Sequence, residues 1–165
     1  MADVTNTYYE NTTDIGYGAQ LLVDQGASPT VWAAVKGVVS IKLGKLTNEK
    51  IKRTHLRSPN RAHEYTTGLA DYDAIQVRVN WDPNHGSQNA AGGAADGFTG
   101  VGLLGLNISQ ATTNFKAVLL IDGATFEWPF SGKVISFDPP EITNDGLLEA
   151  MFEIQPVSDY RGDLP

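Results

Sequence analysis

Apolar and polar residues alternate most cleanly at 71–81, where Ile75, Val77, Val79 and Trp81 fall on one face and Gln76, Arg78 and Asn80 on the other. A period of two is that of a strand with one buried face. Residues 147–157 repeat it, with Leu148, Ala150, Phe152 and Ile154 opposed to Glu149, Met151, Glu153 and Gln155. QLLVD at 20–24 is a short apolar strand, GASPT at 26–30 a turn, and 31–43 a second strand bent or bulged near Gly37, so together they predict a hairpin. Residues 114–122 predict a further strand, Asp122-Gly123 a turn, and 125–139 one or two strands more. Residues 48–55 alternate in charge with few apolar side chains, which predicts an edge or interface strand. The stretch 56–69 follows as a long loop or exposed hairpin. A helix is expected within 96–110, although glycines at 97, 100, 102 and 105 each cost up to ~1 kcal/mol relative to Ala, so only packing on a sheet would hold it.

About eight strands and one weak helix indicate a mainly β chain, a β-sandwich or partly open barrel with one flanking α-helix. Residues 1–17, rich in Asn, Thr, Asp and Tyr, read as an extended arm or a frayed terminus; 18–158 form the β domain and 159–165 a short tail.

Composition narrows the chemistry. The 165 residues suit one domain, and the absence of cysteine excludes disulfides, thiolate metal sites and thiol nucleophiles. No apolar leader or ~18-residue apolar run is visible, so a soluble chain without a secretory signal is expected. A net charge of -7 makes gripping of nucleic acid through phosphates a poor expectation. Charge is unevenly spread, however: Lys36, Lys42, Lys45, Lys50, Lys52, Arg53, Arg57 and Arg61 crowd one segment, and the chain is largely acidic after Arg78. His55, His63 and His85 lack metal-ligand spacing, and no nucleophile elbow is present. Gly100, Gly102 and Gly105 match GxGxxG outside any βαβ context, which favours packing over dinucleotide binding. No catalytic residue, metal or cofactor is expected, and the chain is read as a non-enzyme.

Two stretches carry a resemblance. GYGAQLLVDQGASPTVWAAVKGVVSI at 16–41 resembles the opening hairpin of the major tail tube proteins of long-tailed, non-contractile (siphophage-type) bacteriophages. THLRSPNRAHEYTTGLADYDAIQVRVNWDPN at 54–84 is similar to their next signature, an aromatic-x-x-Gly-Leu-x-Asp step and a strand ending in Asn-Trp-Asp-Pro. NFKAVLLIDGATFEWPFSGKVISFD at 114–138 and a final strand complete a likeness that covers 16–158. The departure lies at 86–105, Gly/Ala-rich where that family has its helix.

The resemblance implies hexameric rings stacked into a tube, with strands of each subunit joining into a continuous inner barrel through which DNA passes without specific binding. It further implies a virion location after assembly in the host cytoplasm. The implied partners are a tape measure protein and tail terminator and distal tail proteins. Subunit-interface candidates follow by position: Tyr8, Tyr9, Lys50, Lys52, Arg53, Arg57, Arg61, Glu64 and Tyr65. Glu149, Glu153 and Gln155, opposite the last strand's apolar row, are the lumen-facing candidates. Two rivals remain open: the tube protein of a contractile tail or secretion machine, and a monomeric ligand-binding β-sandwich with Trp32, Trp81 or Trp128 lining its site.

Overall fold

The computed structural model describes residues 18–54, 63–121 and 123–157. Among these, β1 (Gln20–Asp24), β2 (Trp32–Ala34), β3 (Val38–Lys42), β6 (Ile75–Asn80), β7 (Thr113–Ile121), β8 (Ala124–Asp138) and β9 (Glu149–Pro156) form one antiparallel sheet in the order β2-β1-β7-β8-β9-β6-β3. Strands β4 (Leu46–Lys52) and β5 (Tyr65–Tyr72) make a separate two-stranded hairpin.

The order explains the shape. The outermost strands, β2 and β3, are consecutive in the chain and joined by Val35, Lys36 and Gly37 alone. A flat seven-stranded sheet would hold its edges roughly 29 Å apart, at ~4.8 Å per strand. Such a link reaches no more than ~14 Å. The sheet must therefore curl to bring its edges within that reach, and β1 lies against β3.

The turn from one layer to the other is made by β8. Its first part, to Gly132, pairs with β7; its second part, from Gly132, pairs with β9. Gly132 is the corner: a Cβ there would lie 2.8 Å from Ile154 Cγ2 and 2.9 Å from the Gln155 carbonyl. A bulge between Val134 and Ser136 follows. Asn107 Nδ2 and Gln110 Nε2, from helix α1 (Leu103–Ser109) and its C-cap, donate to the Val134 carbonyl at 3.2 and 3.0 Å. The helix thus covers the place where the ladder is interrupted.

Between the layers lies one core: Leu21 and Val23, Phe115 and Phe130 from one side, and Ile75, Val77, Val79, Val134, Phe152 and Ile154 from the other, with Phe98, Leu103 and Leu106 closing it. Phe115 stacks on Phe130 at 5.5 Å, and Trp81, Phe137 and Phe152 cluster at 4.9–6.2 Å. The mainly β, antiparallel, sandwich-like fold with one helix is as the pattern indicated.

Four local expectations are corrected. Residues 31–43 are two strands, and only β2 forms the hairpin with β1, while β3 crosses to the far edge. The strand expected over 71–81 begins at Ile75, because Asp71 and Tyr72 end β5. Leu148 precedes β9 and stands exposed, so the buried row starts at Ala150. The helix is confined to Leu103–Ser109, with a 3-10 turn at Ala94–Asp96 before it.

Candidate assembly surfaces

Among the described residues, the hairpin strands contribute no fully buried side chain. Every residue of β4 is exposed, and β5 alternates between exposed and half-buried. An isolated two-stranded ribbon is marginal in water, so its place in the chain, immediately between β3 and β6, anchors its base. At the far end Arg53 N donates to the Glu64 carbonyl at 2.8 Å. Glu64 N donates to Thr54 Oγ1 at 3.1 Å, and the His63 and Tyr65 rings meet edge-on at 6.4 Å. Lys50 pairs with Thr67 and Lys52 with Tyr65 in the ladder. Five sequence-selected residues, Lys50, Lys52, Arg53, Glu64 and Tyr65, are thereby brought together on the distal half of one ribbon. Tyr8, Tyr9, Arg57 and Arg61 lie outside the described residues. Leu69, which pattern reading left unremarked, is 83% exposed on the same ribbon.

The second surface is the outer face of β6 and β9. Glu149, Glu153 and Gln155 do share this face, because the intervening Ala150, Phe152 and Ile154 point into the core. Their partners were not read from sequence. Arg78 Nη2 meets Glu149 Oε2 at 2.6 Å, Gln76 Nε2 donates to Glu153 Oε1 at 3.0 Å, and Gln155 Nε2 donates to the Tyr72 carbonyl at 2.8 Å. Lys133 stands opposite Gln155 across the ladder. The wall is polar but mixed in charge, with Glu149 already neutralised by a cross-strand cation. The signal was available: antiparallel pairing of two alternating strands puts their polar rows side by side.

A third cluster fixes the link between the sheet edges. Gln88, fully buried, accepts from Asp82 N at 2.8 Å and donates to the Lys36 and Asn80 carbonyls at 2.7 and 3.1 Å. Lys36 Nζ meets Asp82 Oδ2 at 2.8 Å. The hydrogen bond to Asp82 raises the Lys36 pKa, and the same bond, followed by one from Asn84 N, holds the Asp82 carboxyl below its ordinary range. Ser87 Oγ accepts from Lys36 N and lies 2.8 Å from His85 Nδ1, while His85 Nε2 is 3.6 Å from Asp96 Oδ1. These are the residue types of a hydrolytic triad, but Ser87 is fully buried, so no acyl group can approach its hydroxyl. Ser87 ties the 82–102 loop to the β2–β3 link, and His85 braces the loop from within. Gly102 and Gly105 belong to the same packing: a Cβ at either would collide with the backbone of Asn89 or Ala90. Of the three tryptophans, Trp81 and Trp128 pack on the core, and Trp32 lies beneath Lys116 Nζ, 4.7 Å from its ring centroid. Among the described residues no group of three His, Asp or Glu side chains could hold a metal ion.

No family model matches this chain, and no curated protein matches it by sequence. Solved structures do match its fold. A chain from the tail of an empty GTA particle, with C6 symmetry, aligns at a TM-score of 0.56 and 11% identity, over 88% of this chain and 95% of that one. A chain from the six-fold symmetrised baseplate of the anti-feeding prophage aligns at 0.54 and 10% identity, over 85% and 87%. A chain from the virion of the native gene transfer agent particle aligns at 0.53 and 13%, over 84% and 92%. The fold of this chain is therefore one found in the tails and baseplates of phage-like particles.

Proposed function

We propose that this chain is a non-enzymatic structural protein of a phage-type tail, which polymerises as stacked hexameric rings into the tube that conducts DNA. The observation that carries the reading is the fold shared over 88% of the chain with a subunit of a C6-symmetric tail. Two surface properties support it. The sheet ends in two edge strands, β2 and β3, and edges left open invite pairing with another chain, a hazard that ring closure removes. The hairpin projects without a core of its own, as an element held by a neighbour would.

In such a tube the polar face of β6 and β9 suits the lumen. With Glu149 neutralised by Arg78, Glu153 is the carboxylate there without a cationic partner among the described residues, and six copies around an axis would repel phosphate. Glu153→Lys should leave tubes intact and slow DNA ejection in a salt-sensitive way; unchanged ejection at low salt would place Glu153 elsewhere.

The test of the whole reading is direct. The concentrated protein, alone or with tail initiator components, should show rings or tubes in negative stain. Sedimentation as a monomer under both conditions would refute assembly and favour a ligand-binding sandwich. The baseplate neighbour keeps a contractile tail or secretion machine as the second reading, decided by whether a sheath surrounds the tube in purified particles.

A further inference from the structure

Four adjacent strands bring four chemically different side chains into one row. Val23 and Phe115, both core-facing, pair across β1 and β7, so the residues beside them, Asp24 and Asn114, turn outward together. Trp32 of β2 lies opposite Asp24, and Ser131 of β8 lies opposite Asn114. The row Trp32, Asp24, Asn114, Ser131 therefore crosses the outer face of the β2-β1-β7-β8 layer, over roughly 14 Å at ~4.8 Å per strand. It lines a cleft of about 320 Å³, to which Thr30, Pro129 and the core residues Phe115 and Phe130 also contribute.

The polar groups of the row are already ordered among themselves. Asn114 Nδ2 donates to Asp24 Oδ2 at 3.2 Å, Ser131 Oγ donates to Asn114 Oδ1 at 2.5 Å, and Gly26 N donates to Asp24 Oδ1 at 2.8 Å. Hydrogen-bonding capacity is left over. A carboxylate accepts about four hydrogen bonds, and Asp24 accepts two here. The second N–H of the Asn114 amide and the lone pairs of Ser131 Oγ have no partner among the described residues. The Trp32 ring is steadied from outside the cleft: Lys116 Nζ lies 4.7 Å from its centroid and is anchored on Glu127 Oε1 at 3.0 Å.

An aromatic ring beside donors and acceptors that are fixed but not saturated suits a ligand with one apolar face and a rim of hydroxyls. A sugar ring has this character, and its C–H face complements the negative face of an indole. Charge disfavours the other classes. An anion would meet the Asp24 carboxylate, and an organic cation stacked on Trp32 would meet Lys116 Nζ, already at that ring. A wholly apolar ligand would strand Asp24 and Asn114 without hydrogen bonds.

We propose that this cleft binds a neutral glycan, one sugar ring lying on Trp32 with its hydroxyls bonded to Asp24 and Asn114, and with Ser131 and Thr30 meeting the hydroxyls further along. Such a site gives the chain a second activity, attachment to a glycan-bearing surface. All of its residues come from one chain, so it needs neither ring nor tube, and its failure leaves the tube reading untouched.

The test uses the full chain, isotope-labelled on nitrogen and kept dilute. It is titrated with methyl glycosides of glucose, galactose, mannose and N-acetylglucosamine, and separately with tetramethylammonium and with inorganic phosphate. The indole N–H signals are followed, that of Trp32 being assigned by its absence from Trp32→Tyr. The same protein is read on an array of neutral, sialylated and sulfated glycans. At least one neutral glycoside should shift the Trp32 signal saturably in the millimolar range, and neutral glycans should be the ones retained on the array. Trp32→Ala and Asp24→Asn should each weaken binding about tenfold or more with unchanged circular dichroism. Trp32→Tyr should keep it within about fivefold, because stacking survives. Glu141→Ala, at an exposed position outside the cleft, should leave it unchanged. If neither the glycosides nor any neutral glycan binds, the cleft is not a sugar site. If tetramethylammonium or phosphate shifts the Trp32 signal and the glycosides do not, it serves a charged ligand and the proposal is wrong. If a glycoside binds wild type and Asp24→Asn equally well, the sugar sits elsewhere.

Discussion

Replacing Gly132 by Ala probes the corner on which the sandwich turns. The added Cβ would lie 2.8 Å from Ile154 Cγ2 and 2.9 Å from the Gln155 carbonyl oxygen, about an ångström inside ordinary carbon contact distance. Neither neighbour can yield cheaply. Ile154 is fully buried, and the Gln155 backbone lies in β9, whose register with β8 runs from Gly132–Pro156 onward. Relief requires β9 to move away from β8 at the junction of the layers. Overpacking of this kind costs about 1–3 kcal/mol. In a chain of this size each kcal/mol lowers the melting temperature by about 2–4 °C, so a fall of roughly 2–12 °C is expected. The assay is thermal unfolding by circular dichroism, at a concentration too low for self-association. Gly100→Ala is the control: the nearest atom to its added Cβ, Gln25 Oε1, is 3.9 Å away, and its effect should stay within ~0.5 kcal/mol. A Gly132→Ala protein that melts within a degree of wild type would show that β8 does not turn there and that the two-layer description is wrong.

Phe152→Asp should prevent folding, because it buries an unpaired charge where the side chain is fully enclosed, whereas Leu148→Asp, four residues earlier at a 37% exposed site, should be soluble and folded; solubility and circular dichroism decide. Gln88→Ala should destabilise by at least ~2 kcal/mol in urea unfolding, since it strands the Asp82 N–H and the Lys36 and Asn80 carbonyls. For pH, the Asp82 carboxyl is held below 3.8, so its contribution is present above that value and lost as pH falls through the lower folded pKa; Lys36 is raised above 10.5, so its contribution is present below 10.5 and lost as pH rises through the higher folded pKa. Asp82→Asn should flatten both limbs of a plot of urea midpoint against pH, and a mutant curve parallel to wild type throughout would remove the pair from the account.

Alternation made β6 and β9 legible, since facing a core on one side leaves its mark in the strand's own residues. Partner choice left no such mark. Nothing in 31–43 distinguishes one bent strand from two strands on opposite edges, because the break at Val35–Gly37 is enforced by Gln88, about fifty residues away. The hairpin was legible only as an edge or a loop: every residue of β4 is exposed, and the inner row of β5, Gly68, Ala70 and Tyr72, is half-buried and mostly small, so no apolar row gives it a period. The helix was located but overextended, because the glycines that lower its propensity are spent on close approach to the 86–90 backbone. Among the interface candidates, the five described ones do converge on one ribbon. The lumen candidates do share a face, but Arg78 and Lys133, which change its electrostatics, come from strands whose neighbourhood only the sheet order reveals.

The sheet order also sets the sequence of folding events. Leu21 pairs with Ala117, roughly a hundred residues later, so the first strand of the chain has no lasting place in the sheet until the seventh has been synthesised. Until then the β1–β2 hairpin can form but must leave its apolar face in water. The slow step is expected to be this distant pairing, not the local hairpins β7–β8 and β8–β9, which can zip as they emerge. A nascent chain stalled before residue 113 would therefore carry its β4–β5 hairpin and its unpaired first strand together, a state prone to aggregate.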